Sequence, residues 1–277
     1  RRRLMSYFRQ FPKLPYDFDR NGIQQTVVDI YRSARPLKAF LDDLNAYSFY
    51  EIKNGERPDI VSQRLYGTTQ YYWTFFVIND FLHDGLAAWP MSQEKLHAYM
   101  AQEYEGVVIT TNPYVDETGD IGVISSYPNS LSGRFQLGEI VTGTTSGATG
   151  ILVKKNLDMN QLVLQTVVGS FIGSSAPGPS NATESITGLL SDDSVNTYDV
   201  YKYIDAPHNY YRTDDPDKRV QTNAIFIPGG EPSGELSFHT HRNHLFTSNE
   251  ARSKMRVVDP KYISDFVEKY EAIINNV

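Results

Sequence analysis

The 277-residue chain contains no cysteine, which excludes disulfides, thiolate metal ligands and cysteine nucleophiles. That composition is compatible with assembly in a reducing cytoplasm. The sequence also lacks any apolar run near the roughly 18 residues that span a bilayer, and its N-terminal stretch has no apolar signal core. No membrane association is expected. Met5 follows Arg1-Arg2-Arg3-Leu4 and can serve as a natural start, so the basic tripeptide carries no functional weight. Positive charge is in the minority, with 26 Lys and Arg against 33 Asp and Glu and a net charge of −7. Duplex binding normally needs a basic face, so no nucleic-acid partner is expected.

Catalytic signatures are equally scarce. No Gly-x-Ser-x-Gly elbow occurs. The glycines between 143 and 150 are followed by neither the Lys-Ser/Thr pair nor the helix that completes a phosphate cradle. The carboxylate pairs Asp42-Asp43, Asp192-Asp193 and Asp214-Asp215 sit beside turn formers or helix ends, and adjacent side chains usually point apart rather than across one cleft. The chain is therefore read as a non-enzyme with no cofactor and no small-molecule substrate.

What is present is a folded chain of 40% hydrophobic and 21% charged residues, enough for one large or two to three small domains. Aromatics are abundant, with 19 Tyr, 14 Phe and 2 Trp. Tyr and Trp are enriched at interfaces, where they combine large contact area with a polar handle, and this tilts the composition toward an assembly component.

Residues 50–79 carry the sharpest pattern. Tyr50 and Ile52 alternate with charged residues, Asn54-Gly55 turns the chain, and Pro58 suits the first turn of a helix. Val61 and Leu65, with Ile60 alongside, give that helix an apolar stripe, and Gly67 stands where a left-handed C-cap is needed. About two turns do not persist alone, so the helix must pack on the next one. There Tyr72, Trp73, Phe76, Val77 and Phe81 fall at helical spacings.

The run G-E-x-P-D-I-V-S-x-x-L-Y-G, the second helix and the closing Asn79 resemble a LysM-type module. With Trp-Thr-Phe-Phe-Val-Ile-Asn-Asp, then Trp89-Pro90-Met91-Ser92 and a third helix from Ser92 to about Tyr104, the segment 46–112 resembles the LysM-bearing baseplate wedge proteins of T4-like contractile-tailed bacteriophages. The resemblance implies a structural subunit that joins neighbouring wedges into a closed ring around the hub. It also implies about six copies per baseplate, location in the virion tail, and partners among the other wedge subunits. A peptidoglycan-binding LysM module and an ordinary αα hairpin with an aromatic core are the alternatives.

The flanks are less definite. Residues 5–22, with Phe8, Phe11, Leu14, Tyr16 and Phe18 interrupted by two prolines, read as an extended apolar arm that crosses its own domain or a neighbour. A helix is expected from Pro36 to about Asn45. From Val107 to about Tyr203 the chain is rich in Val, Ile, Thr, Ser and Gly with turn dipeptides, the composition of strands and hairpins. Within it Phe135-x-x-Gly138 is echoed by Phe171-x-x-Ser174, and Ile140-Val-Thr-Gly143 by Glu184-Ser-Ile-Thr-Gly188, which marks an internal repeat interrupted by 174–183. These segments resemble small β-modules inserted in other phage virion proteins. At the end of the chain Asp259 and Pro260 precede a stripe of Ile263, Phe266, Val267, Tyr270, Ile273 and Ile274. This helix needs a partner surface, either its own core or a neighbouring subunit.

The remaining constellation is Phe238-His239-Thr-His241-Arg-Asn243-His244. It is similar to the His-x-His-x-Asp-His run of metallo-β-lactamase-like hydrolases, but Asn243 replaces the aspartate and too little chain follows for that scaffold. His239, His241 and His244 remain weak metal candidates, with His208 as a fourth nearby, and no metal is expected.

The sequence thus predicts an α+β protein: a small LysM-like βααβ-type unit with flanking helices, an inserted small β-barrel-like module, and a C-terminal amphipathic helix. The expected boundaries are 1–45 for the arm and helix, 46–112 for the LysM-like domain, 113–131 for a connector, 132–190 for the β-module, 191–250 for a β-rich return and 251–277 for the last helix. Phe8, Phe11, Tyr16, Phe18, Tyr66, Tyr71, Trp73, Trp89, Phe266 and Tyr270 are the interface candidates.

Overall fold

The computed structural model describes residues 11–29, 46–111, 131, 133–173, 183–213, 215–220 and 236–276. Phe8, the expected helix 36–45, most of the connector 113–131 and most of the loop 174–183 lie outside the described residues. The fold is mixed α+β, as expected, with one sheet curled into a half barrel. The chain divides into two compact units, residues 1–96 with 248–277 and residues 97–247.

In the first unit, β1 (Lys13–Tyr16) pairs antiparallel with β2 (Gln25–Val28). The Asp17 carboxylate accepts the N–H groups of Asn21 and Gly22 at 3.2 and 2.7 Å and so closes the turn between them. The expected extended arm is therefore a hairpin over its described part. Pro15 is tolerated because, among the described residues, β1 pairs on one side.

β3 (Tyr47–Glu51) leads through the Asn54-Gly55 turn into α1 (Pro58–Tyr66). Pro58 opens the helix. Gly67 closes it at φ 70°, with its N–H donating to Gln63 O at 3.0 Å. A 3₁₀ turn over Thr69–Tyr71 reverses the chain into α2 (Trp73–Ile78). The helical spacing of the aromatics does not continue to Phe81: α2 stops at Ile78, and 3₁₀ turns follow over Asp80–Leu82 and Gly85–Ala87 before α3 (Gln93–Glu103).

The strand that completes this unit comes from the far end of the chain. Residues Lys254–Val258, which we number β14 because they form the last strand, pair antiparallel with β3 from Tyr47↔Val258 to Glu51↔Lys254. The Asn79 side chain binds the same strand at both backbone groups of Arg256, donating to its O at 2.9 Å and accepting its N–H at 2.8 Å. The unit is therefore discontinuous, in contrast to the unbroken span 46–112 expected above. Alternating apolar positions in Lys-Met-Arg-Val-Val announce a strand but not its partner.

Two apolar clusters hold the unit. Ile52, Val61, Phe75, Leu82, Met255 and Val257 form one, with Ala88 and Trp89. Phe11, Trp73, Ile78 and Val258 form the other, together with Ile263, Phe266, Tyr270 and Ile274. The last four belong to the C-terminal helix, residues Ile263–Asn276, so its stripe packs on the chain's own core. Asp259 does not cap this helix directly. It accepts the Lys261 N–H at 3.1 Å in the turn that precedes it.

The second unit contains β4 (Val107–Thr110), β5 (Ile140–Gly143), β6 (Thr149–Asn156), β7 (Gln161–Val168), β8 (Ser185–Gly188), β9 (Ser194–Asn196) and β10 (Asp199–Lys202). They form one antiparallel sheet in the order β10-β4-β7-β6-β5-β8-β9. Its two edges are consecutive in sequence: the Thr197 N–H donates to Glu184 O beside β8 at 2.8 Å, and the Tyr198 N–H to Thr110 O of β4 at 2.8 Å. Ile109, Val141, Leu152, Leu162, Leu164 and Ile186 fill the concave side. The sheet draws strands from both sides of 132–190, because closing the curl requires β4 and β10.

A three-stranded sheet, β12-β11-β13, follows: β11 is Pro207–Arg212, β12 Asp215–Val220 and β13 Leu236–Thr240. The β-rich return expected over 191–250 also contains a helix, α4 (His241–Ser253). Thr240 Oγ1 accepts the Asn243 N–H at 3.1 Å and caps it. With α4 placed, the C-terminal helix Ile263–Asn276 is α5.

Candidate functional site

The interface candidates divide by burial. Phe11, Trp73, Trp89, Phe266 and Tyr270 are at most 8% exposed, which makes them core side chains. Trp73 lies 5.1 Å from Tyr270 and 6.4 Å from Phe266, ring centre to ring centre. The Trp89 indole N–H donates to Glu56 O at 2.8 Å. Tyr66 and Tyr71 are half-buried and meet edge-on at 6.0 Å. The Tyr66 hydroxyl donates to Val258 O at 3.0 Å, and burial raises its pKa well above the usual tyrosine value. The sequence pattern could not separate these residues from interface aromatics, because helical spacing is the same whether a stripe meets its own core or a neighbour.

Tyr16 and Phe18 are the candidates displayed to solvent, at 56% and 59% exposure, with rings edge-on at 4.9 Å. Leu14 and Ile23 on the same hairpin are also exposed. At the base of the hairpin Phe11 is buried, so an exposed apolar tip stands on an anchored root.

Beside α1 the unit carries a groove of about 800 Å³ lined by Gly55, Arg57, Tyr72, Leu86, Trp89 and Met91, among others. Its walls are pinned by backbone contacts. The Gln93 N–H donates to Asn54 Oδ1 at 2.9 Å, and Asn249 exchanges bonds of 2.7 and 3.0 Å with Met91 N and O. The Glu56 carboxylate, which pairs with Arg64 and accepts the Tyr50 hydroxyl at 2.9 Å, braces the loop before α1.

In the second unit the sequence repeat becomes a reciprocal clamp. The Glu139 carboxylate accepts the Leu190 and Ser191 N–H groups, each at 3.0 Å, and the Ser191 hydroxyl. Glu184 does the same for the other copy, accepting Thr145 N–H at 3.2 Å, Ser146 N–H at 2.9 Å and the Ser146 hydroxyl. Each glutamate also accepts one N–H from its own copy of the repeat, Gln136 or Ile172. Between them β5 and β8 pair antiparallel, with Thr142 opposite Thr187. A Cβ on Gly143 would lie 2.6 Å from Glu184 Oε2, and one on Gly188 2.6 Å from Glu139 Oε2, so both glycines leave room for a carboxylate. Burial alone would raise both carboxyl pKa values, but the converging N–H and O–H donors outweigh it and lower them.

The histidines do not share one strand face. β13 ends at Thr240, so the alternation that would align His239 with His241 stops between them. His239 stacks on Tyr211 at 4.4 Å, while His241 and His244 turn toward His208. Among the described residues no group of three His, Cys, Asp or Glu is arranged to hold a metal ion. No helix among them is long and apolar enough to cross a membrane.

A comparison with curated proteins finds no match. The model of the family described as base plate wedge protein 53 matches residues 5–129, a little under half of the chain.

Proposed function

We propose that this chain is a wedge subunit of a contractile phage tail that joins neighbouring wedges into the closed baseplate ring around the hub, with six copies per baseplate. The match over residues 5–129 carries the proposal. In this reading β3, α1, α2 and β14 form a LysM-like βααβ unit split by everything between α2 and β14, and the unit serves protein contact rather than chemistry. Its aromatic core makes it rigid. The exposed Tyr16 and Phe18 and the groove beside α1 offer complementary ridge and cleft surfaces to partners. Assembly takes place in the host cytoplasm, and the chain acts without catalysis.

Cryo-electron microscopy of intact particles tests this. Six copies between adjacent wedges are expected, and a position elsewhere in the virion, or none, would overturn the ring-joining role. A second reading, peptidoglycan binding, is favoured by one observation: the groove is open and lined by Trp89, Tyr72 and polar groups of the loop before α1. Co-sedimentation of the purified chain with peptidoglycan sacculi decides between them, with retention supporting the second reading and none the first.

A further inference from the structure

Three imidazoles meet where β13 turns into α4. Thr240 caps the helix, so His241 and His244 occupy its first turn. On the facing strand β11 the register slips between Pro207, opposite Thr240, and Asn209, opposite His239. His208 is the extra residue of this bulge, and bulges re-aim the side chain they carry. Its ring stacks on His244 at 3.9 Å and 20°, and meets His241 edge-on at 5.1 Å. Nδ1 of His241 is buried without a hydrogen-bond partner.

The surroundings are unfavourable to a proton. Tyr104, just after α3, and Tyr203 set their rings against His241 at 5.1 and 5.2 Å. The other groups that bear on it are His208 from β11, Lys154 from β6 and His244 from its own helix. Asp205, the carboxylate beside the start of α4, is bound to Arg242 Nε at 2.8 Å. The N-terminus of α4 adds its own positive partial charge. A proton on His241 therefore meets positive neighbours.

We propose that His208, His241 and His244 form a proton-sensitive clasp between β11 and the β13–α4 turn, closed while His241 is neutral and opening when acid charges it. The clasp is independent of the ring-joining role. Burial first, then His208, Lys154 and His244, lower the pKa of His241 from 6.5 to about 4. Because the folded value lies below the unfolded one, the contribution to stability is complete above pH 6.5 and is lost as the pH falls from there toward 4. Across that window the local equilibrium shifts by up to about tenfold per pH unit.

The test is histidine-ring NMR of the full chain from pH 7.5 to 4.5, with amide exchange in β11 and β13 read as protection relative to unstructured peptide. His241 should remain neutral below pH 5.5, and protection in both strands should fall between pH 6.5 and 5. A His241 midpoint near 6.5, or protection that does not change with pH, overturns the clasp. Lys154→Met, at an exposed side chain, should fold normally and raise the His241 midpoint; an unmoved midpoint would remove the electrostatic basis of the proposal.

Discussion

The two units solve the same problem with different chemistry. The first is aromatic and discontinuous: Trp73, Phe266 and Tyr270 stack across elements from opposite ends of the chain, and β14 supplies half of a two-stranded sheet. The second has a mostly aliphatic core that also buries Phe135 and Phe171, and its turns are held by two buried carboxylates that each cap the opposite copy of a repeat. The contrast shows two ways of making a small unit rigid. Large rings bury area quickly, whereas the curled sheet adds charge-assisted hydrogen bonds to its apolar core.

The largest expected break in this comparison is Trp73→Ala. Removing a buried ring typically costs about 3–5 kcal/mol, and the loss should fall on the first unit. Amide exchange should accelerate in β3 and β14 while β5 to β8 keep their protection; equal acceleration in both would show that the units are not energetically distinct.

Next is Glu184→Ala, which strands the Thr145 and Ser146 N–H groups. Hydrogen bonds to a charged acceptor are worth about 1.5–3 kcal/mol each, so a total loss near 3 kcal/mol is reasonable after local relaxation. Glu139→Ala should cost a similar amount, since its donors are matched one for one. Denaturant unfolding of both variants checks this, and a cost confined to one would refute the symmetry of the clamp.

The same carboxylates predict an acid response. Their folded pKa values lie below the ordinary 4.5, so their contribution is present above that pH and disappears as the pH falls through the lowered values. Glu184→Ala should flatten the acid limb of a melting-temperature profile below pH 4.5. An unchanged limb would assign acid unfolding to other groups.

The smallest effect on stability belongs to the hairpin tip. The double variant Tyr16→Ser, Phe18→Ser should change unfolding free energy by less than about 0.5 kcal/mol, as exposed substitutions usually do. Incorporation into baseplates should nevertheless fall. Normal incorporation would move the contact surface away from the hairpin and toward the groove beside α1.

Much of the first unit was legible because its signals are local. Pro58, the Val61 stripe and Gly67 specify α1 within ten residues, and the α5 stripe is visible in the same way. α4 escaped notice because its sequence, His-Arg-Asn-His-Leu-Phe-Thr-Ser-Asn, has little apolar periodicity; the cap at Thr240 was the available signal. The repeat was visible around Gly143 and Gly188, yet nothing in it said that each glutamate would serve the other copy.

By itself the sequence determined the α+β class, the boundaries of α1, the amphipathic C-terminal helix and the strand-rich middle, since helix caps, turn residues and side-chain periodicity act over a few positions. Only the tertiary structure decided that β14 completes the sheet of β3, that Trp73, Trp89, Phe266 and Tyr270 lie inside, and that Glu139 and Glu184 exchange turns. Those outcomes depend on which distant surfaces meet, and a strand edge, an aromatic stripe or a buried carboxylate presents the same local pattern whichever partner it finds.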